Sequence, residues 1–429
     1  MLNRLLKLTQ KARSDRVLEP LLESCQQLLS ERGQANVYAL AQQFMTLYRQ
    51  LPVARREAFF ASLATDFSPD PQTVLTHAQH YASIPGAVQL AALTQAVEPP
   101  RQELLRRINR APGGTAFLLG MRNDLLELRK SNPELDAVDA DFLHLLSSWF
   151  NPGFLRLEQV DWNSSAALLE KIIRHEAVHE ITDWHDLQHR LLPDRRCYAF
   201  FHPQLPEEPL IFVEVALVDD MPGAIQPLID KAREAEYAHK AKTAVFYSIS
   251  NCQPGLRGVS LGNFLIKKVA GLLQAEFSHL KTFCTLSPIP GLVRWLQQST
   301  PADLSPPLHK TWHRVQAWLS EHTVAKAEDV LGMPKSLRED LLSLCAHFLV
   351  EGSHTSGADP VARFHLDNGA RLEHIHFGAD LSRKGLKQSL GLMVNYLYEL
   401  NVVETRHQQF VDRRVSHSGA VRTLIKRST

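Results

Sequence analysis

The sequence predicts an α+β protein in which an N-terminal all-helical bundle precedes a mixed α/β domain. The first 150 residues carry the 3.6-residue apolar period of helices, whereas strand candidates begin only beyond Asn151-Pro152-Gly153. At 429 residues the chain is long enough for two or three domains and a large core. We therefore expect a bundle over residues 1–150 and a mixed α/β domain over residues 151–429.

Capping and breaking residues divide the N-terminal part into helices. Asp70 and Pro71 predict an N-cap followed by a first helical turn, and Pro85-Gly86 and Pro99-Pro100 separate the helices that follow. Amphipathic helices bury their apolar stripes against each other, which predicts a bundle. Since no motif in this part indicates chemistry, we expect a scaffold or oligomerisation module.

The first residues permit two interpretations. Residues 1–14 are basic, amphipathic and free of acidic residues, which faintly resembles an organelle transit peptide. The apolar period continues from Leu18 through Leu29, however, and so we expect residues 1–14 to begin the first helix.

The second part alternates strand and helix patterns. Four segments have the β-branched and aromatic content of strands: CYAFFH at 197–202, LIFVEVAL at 210–217, TAVFYSIS at 243–250 and KTFCTL at 281–286. Helical patterns separate several of them, which predicts a mixed sheet with helices. Residues 300–358 open with several prolines and continue with helical runs, and we expect a helical insertion there.

Composition argues against several function classes. Lys and Arg number 47 and Asp and Glu 46, so the net charge of +1 gives no reason to expect a nucleic-acid or membrane partner. No apolar run approaches the roughly 20 residues of a transmembrane helix. The five cysteines are widely spaced and form no CxxC pair, which is typical of a reduced, cytoplasmic protein.

One motif suggests zinc chemistry. The segment HEAVH at 175–179 matches the pattern of zinc proteases, with His175 and His179 as ligands and Glu176 between them. Such a site needs a third ligand and an open coordination position, and the neighbouring sequence offers no clear distant carboxylate. We therefore expect no metal site, and we interpret the two histidines as a partly exposed helix face that links the two domains.

A glycine-punctuated loop follows the third strand candidate. In QPGLRGVSLGNFLIKK at 253–268, three glycines permit close approach of a ligand to the backbone, and the amides at the start of the next helix are suited to a phosphate. The stretch Arg257-Gly258-Val259-Ser260-Leu261-Gly262 resembles the pyrophosphate loop of acetyl-CoA-dependent acetyltransferases. Ser260 stands where that motif prefers glycine. We expect this loop to hold a nucleotide-tailed substrate.

A serine and a histidine are candidates for acid–base chemistry. Ser287 lies in a Ser-Pro-Ile-Pro turn between a strand and a helix started by Pro290, where the prolines restrict the backbone around its hydroxyl. His365 lies on a short segment with Asp359 as N-cap and Asn368-Gly369 as a stop. Either residue alone is more often structural than functional.

Four longer blocks together resemble malonyl-CoA decarboxylase. They are FYSISNCQPGLRGVSLGNFLIKKV at 246–269, TLSPIPGLVRWL at 285–296, FHLDNGA at 364–370 and GLMVNYLYEL at 391–400. The resemblance covers most of the chain and implies a helical domain joined to a catalytic domain with the acetyltransferase (GNAT) fold. It also implies a cytoplasmic enzyme of fatty acid metabolism and a homo-oligomer, with a tetramer as the family's form.

The resemblance implies a set of site residues. Ser287 and His365 correspond to the catalytic pair, and Tyr398 to a position near the carboxylate pocket. The malonyl-CoA-binding loop corresponds to Arg257, Gly258, Val259, Ser260, Leu261, Gly262 and Asn263. Animal relatives have an acidic residue where this chain has Ser260, so a catalytic role of that carboxylate cannot apply here.

The implied reaction sets the expected chemistry. Loss of carbon dioxide from malonyl-CoA leaves an enolate of acetyl-CoA, which must be stabilised by donors and then protonated. We expect His365, titrating near neutrality, to be the proton donor and Ser287 to orient the substrate carboxylate and the histidine. The thioester itself accepts the electron pair, and so we expect neither a metal nor an organic cofactor.

Three other functions remain open at this stage. The same fold serves acyl-CoA-dependent acetyltransferases, which need an amine acceptor. A non-enzymatic scaffold that senses CoA would bind without turnover. A zinc protease would use the HEAVH segment.

Overall fold

The computed structural model describes residues 18–30, 36–232 and 238–426, and gives the backbone but not the side chain of Asn263. The expectation for residues 1–14 lies outside this range. The described chain forms two compact units. The first comprises residues up to Arg156 together with Phe201–Pro209 and Gln253–Leu261, and the second comprises Leu157–Phe200, Leu210–Cys252 and the residues from Gly262 onward.

The described N-terminal part is helical, as the sequence predicts. Its helices are α1 (residues 18–29), α2 (Val37–Gln50), α3 (Val53–Thr65), α4 (Pro71–Ser83), α5 (Ala87–Val97), α6 (Pro100–Asn109), α7 (Gly114–Arg129) and α8 (Asp136–Trp149). The expected cap of α4 is confirmed, because the Asp70 carboxylate accepts from the Thr73 amide.

Aromatic side chains form the centre of the first unit. The rings of Phe44, Tyr48, Phe59 and Phe117 pack against one another at centroid distances between 5.4 and 6.3 Å, several of them edge to face. The hairpin of α4 and α5 differs from the other helices, because none of its residues is buried.

The second part contains one mixed sheet with helices around it. Its strands are β1 (Arg156–Val160), β2 (Arg195–His202), β3 (Leu205–Val218), β4 (Thr243–Asn251), β5 (Thr282–Thr285), β6 (Ser287–Pro288), β7 (Arg371–His376) and β8 (Met393–Tyr398). The strand order is β1-β2-β3-β4-β5-β8-β6, and β7 also pairs with β8. The expected mixed α/β domain is confirmed.

The centre of the sheet opens between β4 and β5. These two strands are parallel and pair from Thr243↔Thr282 to Phe246↔Thr285, and the Leu286 amide donates to the Phe246 carbonyl at 3.1 Å. Beyond that point β4 continues to Asn251 along β3, whereas the chain after Leu286 turns to pair with β8. One edge of β4 therefore has no strand partner there in the described sheet.

A β-bulge lies where β4 leaves β5. In the antiparallel pairing of β3 with β4, Glu214 faces Ser248 and Val215 faces Phe246, so that Tyr247 is the extra residue. A bulge turns the strand locally and increases its twist, which accounts for the divergence of β4 from its neighbour.

Helices cover the sheet and form the expected helical stretch near residues 300–358. They are α9 (Ala166–His175), α10 (Trp184–Arg190), α11 (Gln226–Ile229), α12 (Gly262–Glu276), α13 (Leu292–Gln298), α14 (Leu308–Glu321), α15 (Ala327–Leu331), α16 (Lys335–Val350), α17 (Pro360–Asp367), α18 (Arg383–Ser389), α19 (Val403–Val411) and α20 (Gly419–Lys426). No helix in the described residues is long and apolar enough to cross a membrane.

Candidate active site

Ser287 lies at the point where β4 and β5 separate. It is the first residue of β6, faces Val394 of β8 and is 5 % exposed. It directly follows Leu286, whose amide makes the last hydrogen bond between β4 and β5. The following helix begins at Leu292, with Gly291 as its N-cap, and not at Pro290 as the sequence suggested.

His365 lies on α17, near its C-terminal end. The expected boundaries are confirmed, since Asp359 caps the helix, Pro360 is its first residue and Gly369 follows with a φ of 75°. The side chain is 3 % exposed, and burial lowers the pKa of His365 to about 3. The expectation that His365 titrates near neutrality is therefore wrong for the unliganded protein, in which the ring is neutral.

A chain of four hydrogen-bonded side chains forms the centre of the site. The Tyr398 hydroxyl lies 2.9 Å from His365 Nδ1, and His365 Nε2 lies 3.0 Å from Ser287 Oγ. The Ser287 hydroxyl in turn donates to Thr285 Oγ1 at 2.8 Å. The structure thus brings together the three residues Ser287, His365 and Tyr398 that the resemblance implied, and it adds Thr285.

Sequence reasoning missed Thr285 and Tyr396. Thr285 lies two residues before Ser287, and this spacing, which directs alternate strand residues to one face, could have identified it. Tyr396 stacks on the His365 ring, with centroids 4.6 Å apart and an interplanar angle of 27°. It lies two residues before Tyr398 on β8, so the same spacing could have found it.

A buried carboxylate connects the two segments that carry the catalytic candidates. Asp359 is 1 % exposed, and one of its oxygens accepts from the amides of Val361 and Ala362 at the start of α17. Its other oxygen accepts from the Gly291 amide at 2.7 Å, at the end of the turn that begins with Ser287. One side chain therefore fixes the helix of His365 to the turn of Ser287.

The glycine-punctuated loop is held by the first unit. Arg122 of α7 is buried, pairs with Asp139 and donates to the Gly255 carbonyl at 2.7 Å. A Cβ at Gly255 would lie 2.3 Å from the Leu119 carbonyl oxygen, which explains the need for glycine. Gly258 has a φ of 88° and also requires glycine.

The loop residues differ in exposure. Arg257, Gly258 and Ser260 are exposed, Val259 is half-buried and Leu261 is buried. The expected helix start at the end of the loop is confirmed, since α12 begins at Gly262. A Cβ at Gly262 would lie 2.5 Å from the Phe364 ring, so this position also excludes a side chain. The loop up to Leu261 belongs to the first unit, and Gly262 belongs to the second with Ser287, His365 and Tyr398.

The HEAVH segment is not a helix face, and that interpretation was wrong. Helix α9 ends at His175, and Glu176 has an extended conformation. One carboxylate oxygen of Glu176 accepts from the amides of Val178 and His179, so the segment is a turn in which Glu176 and His179 are buried. Without the helix, the two histidines do not lie one turn apart as zinc-protease ligands do. Among the described residues no group of three or more His, Cys, Asp or Glu is arranged to hold a metal ion.

Comparison with known proteins identifies the family to which the chain is similar. Residues 67–150 match the malonyl-CoA decarboxylase N-terminal domain, and residues 153–429 match the malonyl-CoA decarboxylase C-terminal domain. The crystal structure of malonyl-CoA decarboxylase from Rhodopseudomonas palustris is 44% identical, has a TM-score of 0.84, and aligns over 95% of this chain and 99% of that chain. The corresponding structure from Agrobacterium vitis is 43% identical, with a TM-score of 0.84 and the same coverage.

A curated relative agrees with the solved structures. The mitochondrial malonyl-CoA decarboxylase of Rattus norvegicus is 36% identical over 415 residues, which cover 87% of this chain and 82% of the relative. The fold and these similarities define a carbon–carbon lyase of the carboxy-lyase class. The chain belongs to the malonyl-CoA decarboxylase family.

Proposed function

We propose that this protein converts malonyl-CoA to acetyl-CoA and carbon dioxide, with Ser287 and His365 at the reacting group. The observation that carries the proposal is the buried Ser287–His365 hydrogen bond at the point where β4 and β5 separate. The acid–base group His365 and the unpaired edge of β4 are thus both associated with the point where β4 and β5 separate.

The substrate tail is bound by the loop at 257–263. Arg257 is exposed and supplies a positive charge for the phosphates of CoA, and Gly258 and Gly262 keep the backbone free of side chains. Helix α12 begins at Gly262, so its first amides and its dipole favour an anion.

The enolate is stabilised by backbone donors and not by a cofactor. Beyond Phe246, β4 has one edge without a strand partner in the described sheet. Alternate residues pair with β3 on the other edge, which fixes the backbone amides that point to the open edge. A thioester oxygen at that edge receives a hydrogen bond from a preorganised donor. Because the thioester accepts the electron pair, no metal or organic cofactor takes part.

The proton is taken up when the substrate binds. In the free protein His365 is neutral, because burial lowers its pKa to about 3. A malonyl carboxylate beside the ring adds an opposite charge, which favours the imidazolium and raises the pKa. After carbon dioxide leaves, this proton passes from His365 to the α-carbon, which balances the reaction. Ser287 bonds to both the substrate carboxylate and the His365 ring and so orients them relative to each other.

The setting of the enzyme follows from its other features. All five cysteines are free and buried, which suits a reduced compartment, and we place the protein in the cytoplasm, in fatty acid metabolism. It acts without nucleic acid or membrane and assembles as a homo-oligomer, as a tetramer by family resemblance. The exposed apolar hairpin of α4 and α5 in the first unit supports the assembly.

The direct test mixes chelator-treated protein with malonyl-CoA alone and follows the products by mass spectrometry. We expect acetyl-CoA to appear without any acceptor. His365→Ala should lower turnover by about 10² to 10⁴, and Ser287→Ala should lower turnover but still bind malonyl-CoA. Normal turnover in either variant would remove that residue from the site.

The same assay separates the rival functions. Turnover only with an added amine would indicate an acetyltransferase, and binding without any turnover would indicate a CoA-sensing protein. Activity that returns only with added zinc would revive the metal interpretation. Each of these outcomes contradicts the proposed decarboxylation.

A further inference from the structure

The direction of the hydrogen bonds at Ser287 determines the tautomer of His365. The Ser287 hydroxyl has one proton, and it is donated to Thr285 Oγ1 at 2.8 Å. The oxygen of Ser287 can therefore only accept at its 3.0 Å contact with His365, which requires the proton on Nε2. Nδ1 is then unprotonated and accepts from the Tyr398 hydroxyl at 2.9 Å.

The surroundings of Thr285 favour its side-chain oxygen as a hydrogen-bond acceptor. It is fully buried at the end of β5, and its Oγ1 also receives the Tyr396 amide at 3.4 Å. Its carbonyl accepts from Asn395 Nδ2 at 2.9 Å. Strand β8 therefore holds both the backbone and the side chain of Thr285 by hydrogen bonds. The Asn395 side chain is itself fully buried and donates also to the Pro222 carbonyl at 3.2 Å.

We infer that Thr285 is a positioning residue for the decarboxylation, because it holds the Ser287 proton away from His365 and so fixes the ring with its proton on Nε2. The inference rests on the proposed function. A substrate carboxylate can replace Thr285 as the acceptor of the Ser287 proton while Nε2–H stays donated to Ser287. The Nε2 proton is thus in place before the substrate binds, and the proton that is taken up with the substrate enters at Nδ1.

This arrangement also defines what Ser287 does not do. In Ser–His hydrolases the serine hydroxyl donates to the imidazole, which removes its proton and makes it a nucleophile. Here the hydroxyl donates in the opposite direction, so the free protein does not activate Ser287 for attack on the thioester. The geometry therefore favours orientation of the substrate over a covalent acyl-serine.

The test compares two substitutions at one position. Thr285→Val keeps the shape but removes the acceptor, so that the Ser287 hydroxyl turns to His365 and moves the ring proton to Nδ1. Thr285→Ser keeps the acceptor. With ¹⁵N-labelled histidine, NMR of the full protein distinguishes the two tautomers, and a His365→Gln spectrum identifies the signal among 20 histidines.

We expect the unliganded wild-type protein and T285S to show a protonated Nε2 and T285V a protonated Nδ1. We also expect turnover of malonyl-CoA to fall about tenfold in T285V with little change in KM, and to stay within about twofold in T285S. An unchanged tautomer in T285V would overturn the inference, and so would unchanged turnover. If T285V does not fold, Thr285→Ala serves the same comparison.

The NMR measurement needs no substrate. If the wild-type protein fails to form acetyl-CoA, the proposed function is wrong, and the spectrum still shows whether Thr285 sets the tautomer. If the wild-type protein is active but Nε2 is unprotonated, the function stands and the role of Thr285 is refuted. The two failures are therefore distinguishable.

Discussion

His365 is constrained on three sides by single residues. Ser287 contacts one ring nitrogen, Tyr398 contacts the other, and Tyr396 stacks on the face. These contacts explain how a neutral histidine is kept in one orientation inside the second unit. Sequence reasoning identified the histidine and the serine through the family blocks but missed Tyr396, which only its spacing of two residues from Tyr398 on β8 could have indicated.

The two tyrosines on β8 give a matched pair of variants. Tyr398→Phe removes the hydroxyl that bonds to His365 Nδ1, and we expect turnover to fall about tenfold. Tyr396→Phe removes a hydroxyl that has no hydrogen-bond partner among the residues that the structure describes, so stacking and turnover should be kept. Steady-state kinetics on malonyl-CoA measure both, and equal effects of the two changes would contradict this assignment.

Buried neutral histidines make the protein sensitive to acid. Burial lowers the pKa of His365 to about 3, and burial with the charges of Arg190 and Lys384 lowers the pKa of His179 to about 3, from a usual value of 6.5. Below about pH 6.5 the unfolded chain binds a proton at each site that the folded protein rejects. The free energy of unfolding therefore falls as the pH drops from about 6.5 toward 3, by up to roughly 1.4 kcal/mol per pH unit for each histidine.

Urea unfolding at pH 7.5 and pH 5 measures this dependence. His365→Gln should reduce the loss of stability on acidification, because one of the histidines with a lowered pKa is gone. His80→Gln, at an exposed position in α4, should leave the loss unchanged and serves as the control. An identical pH dependence in wild type and H365Q would show that His365 does not contribute.

At the scale of elements, the ends of helices were more predictable than the contacts between them. The sequence predicted the cap at Asp70, the cap at Asp359 and the helix start after the glycine loop, because these depend on local backbone chemistry. It predicted four strands, β2 to β5, but not β1, β6, β7 or β8, whose pairing partners no local pattern indicates. HEAVH was taken for a helix because spacing alone does not show where α9 ends.

Asp359 links two elements, and its substitution should affect both stability and turnover. Asp359→Asn keeps one oxygen for the amides of α17 but presents an amide group to the Gly291 amide, so that one buried hydrogen bond is lost. We expect the free energy of unfolding to fall by about 1–3 kcal/mol and turnover to fall while KM stays nearly constant. Urea unfolding and kinetics on the same preparation test this.

An exposed cap provides the comparison for Asp359. Asp70→Asn changes a helix cap that bonds only locally, to Thr73, and should cost less than about 1 kcal/mol without any change in turnover. If D359N lost stability but kept full turnover, Asp359 would be a structural cap and nothing more.

At the scale of the whole molecule, composition identified the change from helices to a mixed sheet but not how the chain is shared between compact units. The first unit includes Phe201–Pro209 and Gln253–Leu261, two short segments that are remote in sequence from the helices. Such a return of the chain arises from tertiary contacts and leaves no local signal. The role of the helical part as an oligomerisation module stays a prediction.

The hairpin of α4 and α5 is where that prediction can be tested. Residues 71–97 contain no Asp, Glu, Lys or Arg, and Val88 and Leu90 are 77 % and 47 % exposed. We expect Val88→Glu with Leu90→Glu to weaken self-association at least tenfold, because charges would enter an apolar contact. Light scattering during gel filtration measures the mass. Val411→Glu, at an exposed valine of α19, is the control, and an unchanged mass in the double variant would refute the role of the hairpin.

The anchoring of the glycine loop by Arg122 bears on how this protein could be recombined with its relatives. A chimera joined near residue 150 would take the helices from one parent and the loop at 253–261 from the other, and so would combine Arg122 of one parent with the Gly255 carbonyl of the other. The workable crossover keeps both segments from the same parent. The segments to exchange together are therefore the N-terminal helices and the loop at 253–261, and not the continuous N-terminal domain alone.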